Sequence, residues 1–277
     1  MKICQTPREV GDMRRSAVDK IWGLVPTMGY LHEGHLSLVR RARKECEYVA
    51  ASIFVNPTQF SPSEDLQTYP RDLTRDLALL EAEGVDLVFT PDDATMYPSD
   101  FQTTVAVSEV TKYLEGRSRP SHFQGVTTVV AKLFNIVQPH RAYFGQKDAQ
   151  QAVVVQRMVE DLNFNLEIVV CPIVREPDGL AMSSRNTRLT DAQRAAAPVL
   201  YRALSRATAA IAAGERNAAS LRALMIAEIE SEQGVRLDYV SIADPRSLQE
   251  IERIEDRALL SGAIFVGDVR LIDNIPI

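Results

Sequence analysis

Short β-branched runs alternate with segments of helical period through the first two thirds of the chain, and this alternation narrows the fold more than any other feature. Residues 23–27 read as a strand, 35–44 as a helix, 48–55 as a strand, 73–83 as a helix stopped by Gly84, and 85–89 as a strand. Further on, residues 126–137 read as a helix, 141–145 as a strand, 149–161 as a helix and 167–173 as a strand. Parallel neighbours need a crossover, and a helix is the usual one, so repeated strand–helix units predict a mostly parallel sheet. The expected class is α/β, a Rossmann-like parallel sheet flanked by helices.

Pro172, Pro177 and Gly179 break that rhythm. The remaining third has a different pattern, which divides the chain into residues 1–174 and a smaller α+β domain, residues 175–277. Thr190 and Gln193 form a capping box ahead of a helix whose apolar positions Val199, Leu200, Ala203, Leu204, Ala207 and Ile211 keep helical spacing up to Gly214. Pro198 lies inside it and predicts a kink. A second helix is expected over residues 218–232, then strands over 238–242, 263–266 and 269–272.

Composition removes several function classes. With 31 Lys+Arg against 37 Asp+Glu, a net charge of −6, no global field draws the 277-residue chain to nucleic acid or to acidic lipid. No apolar run approaches the roughly 18–20 residues that cross a bilayer. Residues 1–16 mix Arg14 and Arg15 with Glu9 and Asp12 and lack the apolar core of a signal peptide, so a cytoplasmic chain is expected. Cys4, Cys46 and Cys171 are odd in number and far apart, without CxxC spacing, which argues for plain thiols over a disulfide framework or a zinc site.

Three segments could carry chemistry. In the first, residues 26–35 (PTMGYLHEGH), between a strand and a helix, Gly29 and Gly34 are spaced as in a P-loop. His35-Leu36 stands where Lys-Ser/Thr is required, GxGxxG is absent, and His32 and His35 are three apart where HExxH needs four. What remains is two imidazoles at a helix N-terminus, where free N–H groups favour a bound anion; a pair of capping or core histidines is the other reading. In the second, residues 143–148 (YFGQKD), Lys147 would stand at a helix N-terminus, a poor place for a cation unless an anion is bound there, while Asp148 could simply cap the helix. In the third, residues 182–186 (MSSRN), two hydroxyls adjoin a guanidinium, a set suited to phosphate oxygens, or else an ordinary loop leading to Thr190.

Together these segments resemble the nucleotidyltransferase superfamily, and more closely the pantothenate synthetase family. The resemblance runs through Pro26-Thr27-Met28-Gly29 with His32-Glu33-Gly34-His35, residues 54–60 (FVNPTQF), Tyr69-Pro70-Arg71, Leu114-Glu115-Gly116, Arg119-Pro120, and His122-Phe123-Gln124-Gly125-Val126. It continues through Lys132-Leu133-Phe134-Asn135, residues 144–148 (FGQKD), Gln150-Gln151, residues 182–186 and Arg270-Leu271-Ile272-Asp273-Asn274, and so covers nearly the whole chain. Ser121, where the family usually has Gly, and Ala149, where it usually has an aromatic residue, depart from the pattern and bear on packing.

The resemblance implies ATP-dependent condensation of pantoate with β-alanine to pantothenate, through a pantoyl adenylate, with release of pyrophosphate and AMP. It implies that His32, His35, Lys147 and Arg185 are catalytic. ATP would meet Met28, Gly34, His35, Gly145, Lys147, Asp148 (at the ribose), Val174, Met182, Ser183, Ser184 and Arg185, with Mg²⁺ bridging the phosphates and no protein metal site. Met28, Gln59 and Gln151 would bind pantoate, and Asn56 would lie near the phosphates or the incoming amine. Neutral amides suit this task, because they grip a carboxylate and leave it nucleophilic. Residues 1–174 would bind nucleotide and pantoate, and residues 175–277 would act as a lid carrying Ser183–Arg185. A homodimer is expected on the same ground, with neither nucleic acid nor membrane as a partner. Related adenylyltransferases and a non-catalytic nucleotide sensor are the competing readings.

Overall fold

The computed structural model of the protein describes residues 1–60 and 66–277. Its elements run β1 (Lys2–Cys4), α1 (Pro7–Ser16), β2 (Trp22–Thr27), α2 (Glu33–Glu45), β3 (Tyr48–Ile53), α3 (Leu73–Ala82), β4 (Leu87–Phe89), α4 (Asp93–Met96), α5 (Leu114–Ser118) and α6 (His122–Val137). They continue with β5 (Arg141–Gly145), α7 (Ala149–Asp161), β6 (Glu167–Cys171), α8 (Asp191–Ala196), α9 (Val199–Ala212), α10 (Ala218–Glu230), β7 (Val235–Ala243), β8 (Leu259–Val266) and β9 (Val269–Pro276).

Contacts divide the chain into two compact units, residues 1–145 with 154–172, and residues 146–153 with 173–277. The division expected at 174/175 is contiguous. In the structure the turn after β5 belongs with the C-terminal unit instead, because Asn274 on β9 binds its backbone.

The first unit holds a six-stranded sheet in the order β1-β4-β3-β2-β5-β6, parallel throughout, which is the expected α/β class. Side chains alternate between its faces, as a pleated strand requires. Trp22, Leu24, Ala50, Leu87, Phe89, Ala142 and Phe144 enter one core, with α6 and α7. Val25, Val49, Ala51, Val88 and Tyr143 enter the other, with α2. The chain steps from β2 to β3 to β4 in one direction and resumes at β5 on the opposite side of β2. The carboxyl ends of β2 and β5 therefore flank the point where strand order reverses, the usual ligand crevice of such sheets.

Helix α1, absent from the expected elements, has a readable signal. Pro7 opens it, and the Thr6 hydroxyl and Glu9 carboxylate form a reciprocal capping box. In the C-terminal unit, β7, β8 and β9 form an antiparallel sheet, and the expected apolar stripe of α9 is buried with α10 against it. Pro198 does more than kink a helix. With no N–H to give, it stands as the N-cap of α9, and α8 ends separately at Ala196. All three C-terminal strands run longer than predicted; on β7 and β9 polar residues such as Arg236, Asp273 and Asn274 also pair in the ladder, and β8 extends back to Leu259. Among the described residues, no helix is long and apolar enough to cross a membrane.

Candidate active site

In the first unit the carboxyl end of β2 runs into Met28, Gly29 and Tyr30, and both Gly29 (φ 81°) and Tyr30 (φ 50°) are left-handed. That turn is held from outside. The buried Asp76 of α3 accepts the Tyr30 N–H at 2.6 Å through Oδ2 and the Leu31 N–H at 2.7 Å through Oδ1. A Cβ on Gly29 would stand 3.0 Å from that Oδ2 and 3.0 Å from the Ile53 methyl, so glycine is needed for space as well as for its positive φ.

The turn delivers two imidazoles to the start of α2. His32 is the N-cap, its Nδ1 accepting the Gly34 N–H at 3.1 Å, and His35 completes the box by accepting the His32 N–H at 3.3 Å through its own Nδ1. The rings lie 4.1 Å apart, centroid to centroid. A backbone N–H can only donate, so both Nδ1 atoms accept and each neutral ring carries its proton on Nε2. Capping thus fixes the tautomer and sets each ring's N–H at Nε2, beside a helix N-terminus where the dipole favours negative charge.

A second group lies behind β3, at the short 3₁₀ turn Pro57–Gln59. Gln59 Nε2 donates to Met28 Sδ at 3.0 Å, and its Oε1 accepts from Asn56 Nδ2 at 3.1 Å, so Met28, Asn56 and Gln59 come together. Asn56 is nearly fully buried, and its amide is engaged throughout. Its Nδ2 also donates to the Gly125 carbonyl at 3.1 Å, while its Oδ1 accepts from the Tyr97 hydroxyl at 2.8 Å and the Thr58 hydroxyl at 2.9 Å. This geometry makes Asn56 a holder of Gln59.

The motif around His122 supports the same turn from α6. Arg119 can only donate, so His122 Nε2 accepts from it at 3.2 Å, and His122 Nδ1 is left to donate to the Gln59 carbonyl at 2.8 Å. Gly125 permits the approach, since a Cβ there would lie 2.4 Å from the Thr58 carbonyl oxygen.

In the second unit, Lys147 and Asp148 lie on the 3₁₀ turn Gln146–Asp148 that leads into α7, with Lys147 Nζ 3.5 Å from Asp148 Oδ1. Gln151 comes next, half-buried, in the first turn of α7. Val174 and Met182 face one another across a narrow hairpin, the Met182 N–H donating to the Val174 carbonyl at 3.0 Å. The hairpin leads into the 3₁₀ segment Ser184–Arg188, capped by Ser183, whose Oγ accepts the Arg185 N–H at 3.3 Å. Gly145, at the end of β5 in the first unit, has nothing within 4 Å of a notional Cβ, so packing within the chain does not require glycine there.

Reasoning from sequence missed Asp76, Arg119 and His122 as supports. The last two stood inside a recognised motif, whereas Asp76 reaches its partners from 46 and 45 positions away and had no local signal. Burial pushes the thiols of Cys4, Cys46 and Cys171 up from their ordinary range, which leaves them protonated and unsuited to nucleophilic work.

The Pantoate-beta-alanine ligase family matches the chain over residues 2–276. A pantothenate synthetase from Roseiflexus sp. (strain RS-1) is 63% identical over 274 residues, covering 99% of this chain and 98% of that protein. The crystal structure of pantothenate synthetase from Thermus thermophilus superposes with a TM-score of 0.95 at 48% identity, covering 99% of both chains. A pantoate-beta-alanine ligase from Francisella tularensis, described as complexed with beta-gamma ATP and beta-alanine, superposes with a TM-score of 0.80 at 36% identity, over 99% of this chain and 97% of that one.

Proposed function

The chain belongs to the pantoate-beta-alanine ligase family, and from that membership we propose that it is an enzyme joining pantoate to β-alanine, with ATP as the activating substrate. The observation that carries the proposal is the end-to-end family match of a chain whose paired imidazoles and amide cluster lie at the carboxyl edge of a parallel sheet.

The reaction is proposed to run in two halves. A pantoate carboxylate oxygen bonds to the α-phosphorus of ATP as the bond to the bridging oxygen breaks, and pyrophosphate leaves with the electron pair. The β-alanine nitrogen then bonds to the acyl carbon of the pantoyl adenylate, the acyl C–O bond breaks, AMP leaves with that pair, and the amine proton passes to solvent. The obstacle in the first half is bringing a carboxylate up to a polyanion, so positioning and electrostatic stabilisation dominate.

His32 and His35 supply Nε2–H donors to the triphosphate, and the α2 N-terminus beneath them adds its partial positive charge. Lys147, Ser183, Ser184 and Arg185 bring cationic and hydroxyl partners for phosphate oxygens. Gly34, Gly145, Val174, Met182 and Met28 line the nucleotide, with Asp148 at its ribose. Met28, Gln59 and Gln151 hold pantoate, and Asn56 orients Gln59. Among the described residues, no group of three or more His, Cys, Asp or Glu side chains could hold a metal ion. Mg²⁺ would instead ride on the phosphate oxygens, as this ion commonly does, and offset their charge.

A cytoplasmic setting is part of the proposal, supported by three buried cysteines that form no disulfide. A homodimer is proposed from the family resemblance. The function is tested by measuring AMP release with pantoate, ATP, Mg²⁺ and β-alanine. AMP is expected to match pantothenate one for one and to vanish when pantoate is withheld. ATP binding without turnover would indicate a nucleotide sensor, and transfer of AMP to a phosphate acceptor would indicate an adenylyltransferase.

A further inference from the structure

The Arg270–Asn274 motif has no part in the reaction just described, yet two of its residues are deeply buried on β9: Asp273 is 5% exposed and Asn274 2%. Asn274 reads the turn that carries Lys147. Its Nδ2 donates to the Gln146 carbonyl at 2.9 Å and to the Lys147 carbonyl at 3.0 Å, and its Oδ1 accepts from Gln146 Nε2 at 2.9 Å. Asp273 reads a different segment. Its carboxylate takes Arg175 in a two-pronged grip at 2.6 and 2.9 Å, and Arg175 also donates to the Gly179 carbonyl at 3.0 Å and stacks 4.2 Å from the Tyr201 ring. Arg175 bridges Ala181 in the hairpin that continues into Ser183, Ser184 and Arg185.

We infer that Asp273 and Asn274 are positioning residues: adjacent on one strand, they anchor both phosphate-directed segments of this unit, the Lys147 turn and the Ser183–Arg185 loop, to a single support. The inference rests on the function proposed above for those segments. A planar amide that makes three hydrogen bonds to one turn tolerates little displacement, and an ammonium moved by about 1 Å from its phosphate loses on the order of 10²-fold in rate.

The test compares Asn274→Ala, Lys147→Ala and the double variant in single-turnover formation of pyrophosphate from ATP and pantoate. Ser261→Ala serves as control, since Ser261 pairs directly with Asn274 in the ladder and its buried hydroxyl has no partner. Asn274→Ala is expected to slow the step by about 10- to 100-fold while the pantoate KM changes by less than about twofold. In the Lys147→Ala background the same change should cost less than about threefold, because its route of action is already gone. Equal losses in both backgrounds, or a loss under about twofold in the single variant, would overturn the inference. Should Asn274→Ala not fold, Asn274→Asp keeps the shape and removes the donors; failure of both to fold assigns a merely structural role and also overturns it. Hydrogen exchange over residues 146–148 should quicken in Asn274→Ala whether or not the protein turns over, and unchanged exchange rules out the clamp. Absence of pantoate-dependent turnover in the unaltered protein would instead refute the proposed function, leaving the exchange result to decide the clamp.

Discussion

Replacing Asp76 by Asn changes one atom in a buried side chain and should damage both stability and turnover. In the native protein two carboxylate oxygens each accept one backbone N–H of the turn before His32, at 2.6 and 2.7 Å, with an Arg75 guanidinium nitrogen 3.7 Å away. An amide can accept only one of those N–H groups and presents its own N–H to the other. The loss is one charge-assisted hydrogen bond plus a buried N–H left facing a donor, together about 2–4 kcal/mol. For a cooperative unit of roughly 150–250 residues that lowers Tm by about 5–15 °C. Because the turn leads directly into the capped imidazoles, pantoate-dependent turnover should also fall by on the order of 10-fold or more at a temperature where the variant is folded. Calorimetry with a turnover assay well below the transition checks both. A Tm within about 1 °C of the native value, with full turnover, would show that the carboxylate does not brace the turn.

Other outcomes follow from the proposed function and the family resemblance. His35→Ala and Lys147→Ala should each lower turnover by about 10²- to 10³-fold, with the first also losing about 1 kcal/mol of stability through its capping box, as calorimetry would show. An unfolded His35→Ala protein would make the histidine a structural residue. ATP with Mg²⁺ should slow hydrogen exchange across residues 179–188, and Arg185→Ala should weaken both that protection and adenylate formation; identical exchange with and without nucleotide, in protein shown to bind it, would remove phosphate contact from this loop. Sedimentation at micromolar protein should show a dimer, and only a 30.8 kDa species would contradict it.

The parallel sheet was legible because β2, β3, β4 and β5 lie largely buried and read as short apolar runs, and because the helices α2, α3, α6 and α7 between strands keep their own period. The α9 stripe was legible for the same reason. Short pieces were harder: β1 has three residues, and the 3₁₀ turns at Pro57–Gln59 and Gln146–Asp148 have too few for any period to register. The histidines show a different limit. Spacing left a capping role and an anion-binding role as alternatives; the structure shows the capping, and under the proposed function the tautomer it fixes would serve the anion-binding role as well. Asp76 marks the limit most sharply: it is an ordinary polar residue on a regular helix, and its importance comes from N–H groups 46 and 45 positions away, which no local pattern records. Asn274 stood inside a recognised motif, but its partners, the carbonyls of Gln146 and Lys147, could not be read from it. The membership of residues 146–153 in the C-terminal unit comes from that kind of contact, and a boundary drawn from Pro and Gly punctuation does not register it.

In the proposed reaction, pantoate attacks ATP before the amine takes part. Exchange of labelled pyrophosphate into ATP measures that step alone, since it requires reversible adenylate formation and nothing after it. With pantoate and Mg²⁺ present and β-alanine absent, label should enter ATP, and without pantoate it should not. Exchange that proceeds without pantoate, or that begins only when β-alanine is added, would rule out a pantoyl adenylate formed before the amine binds.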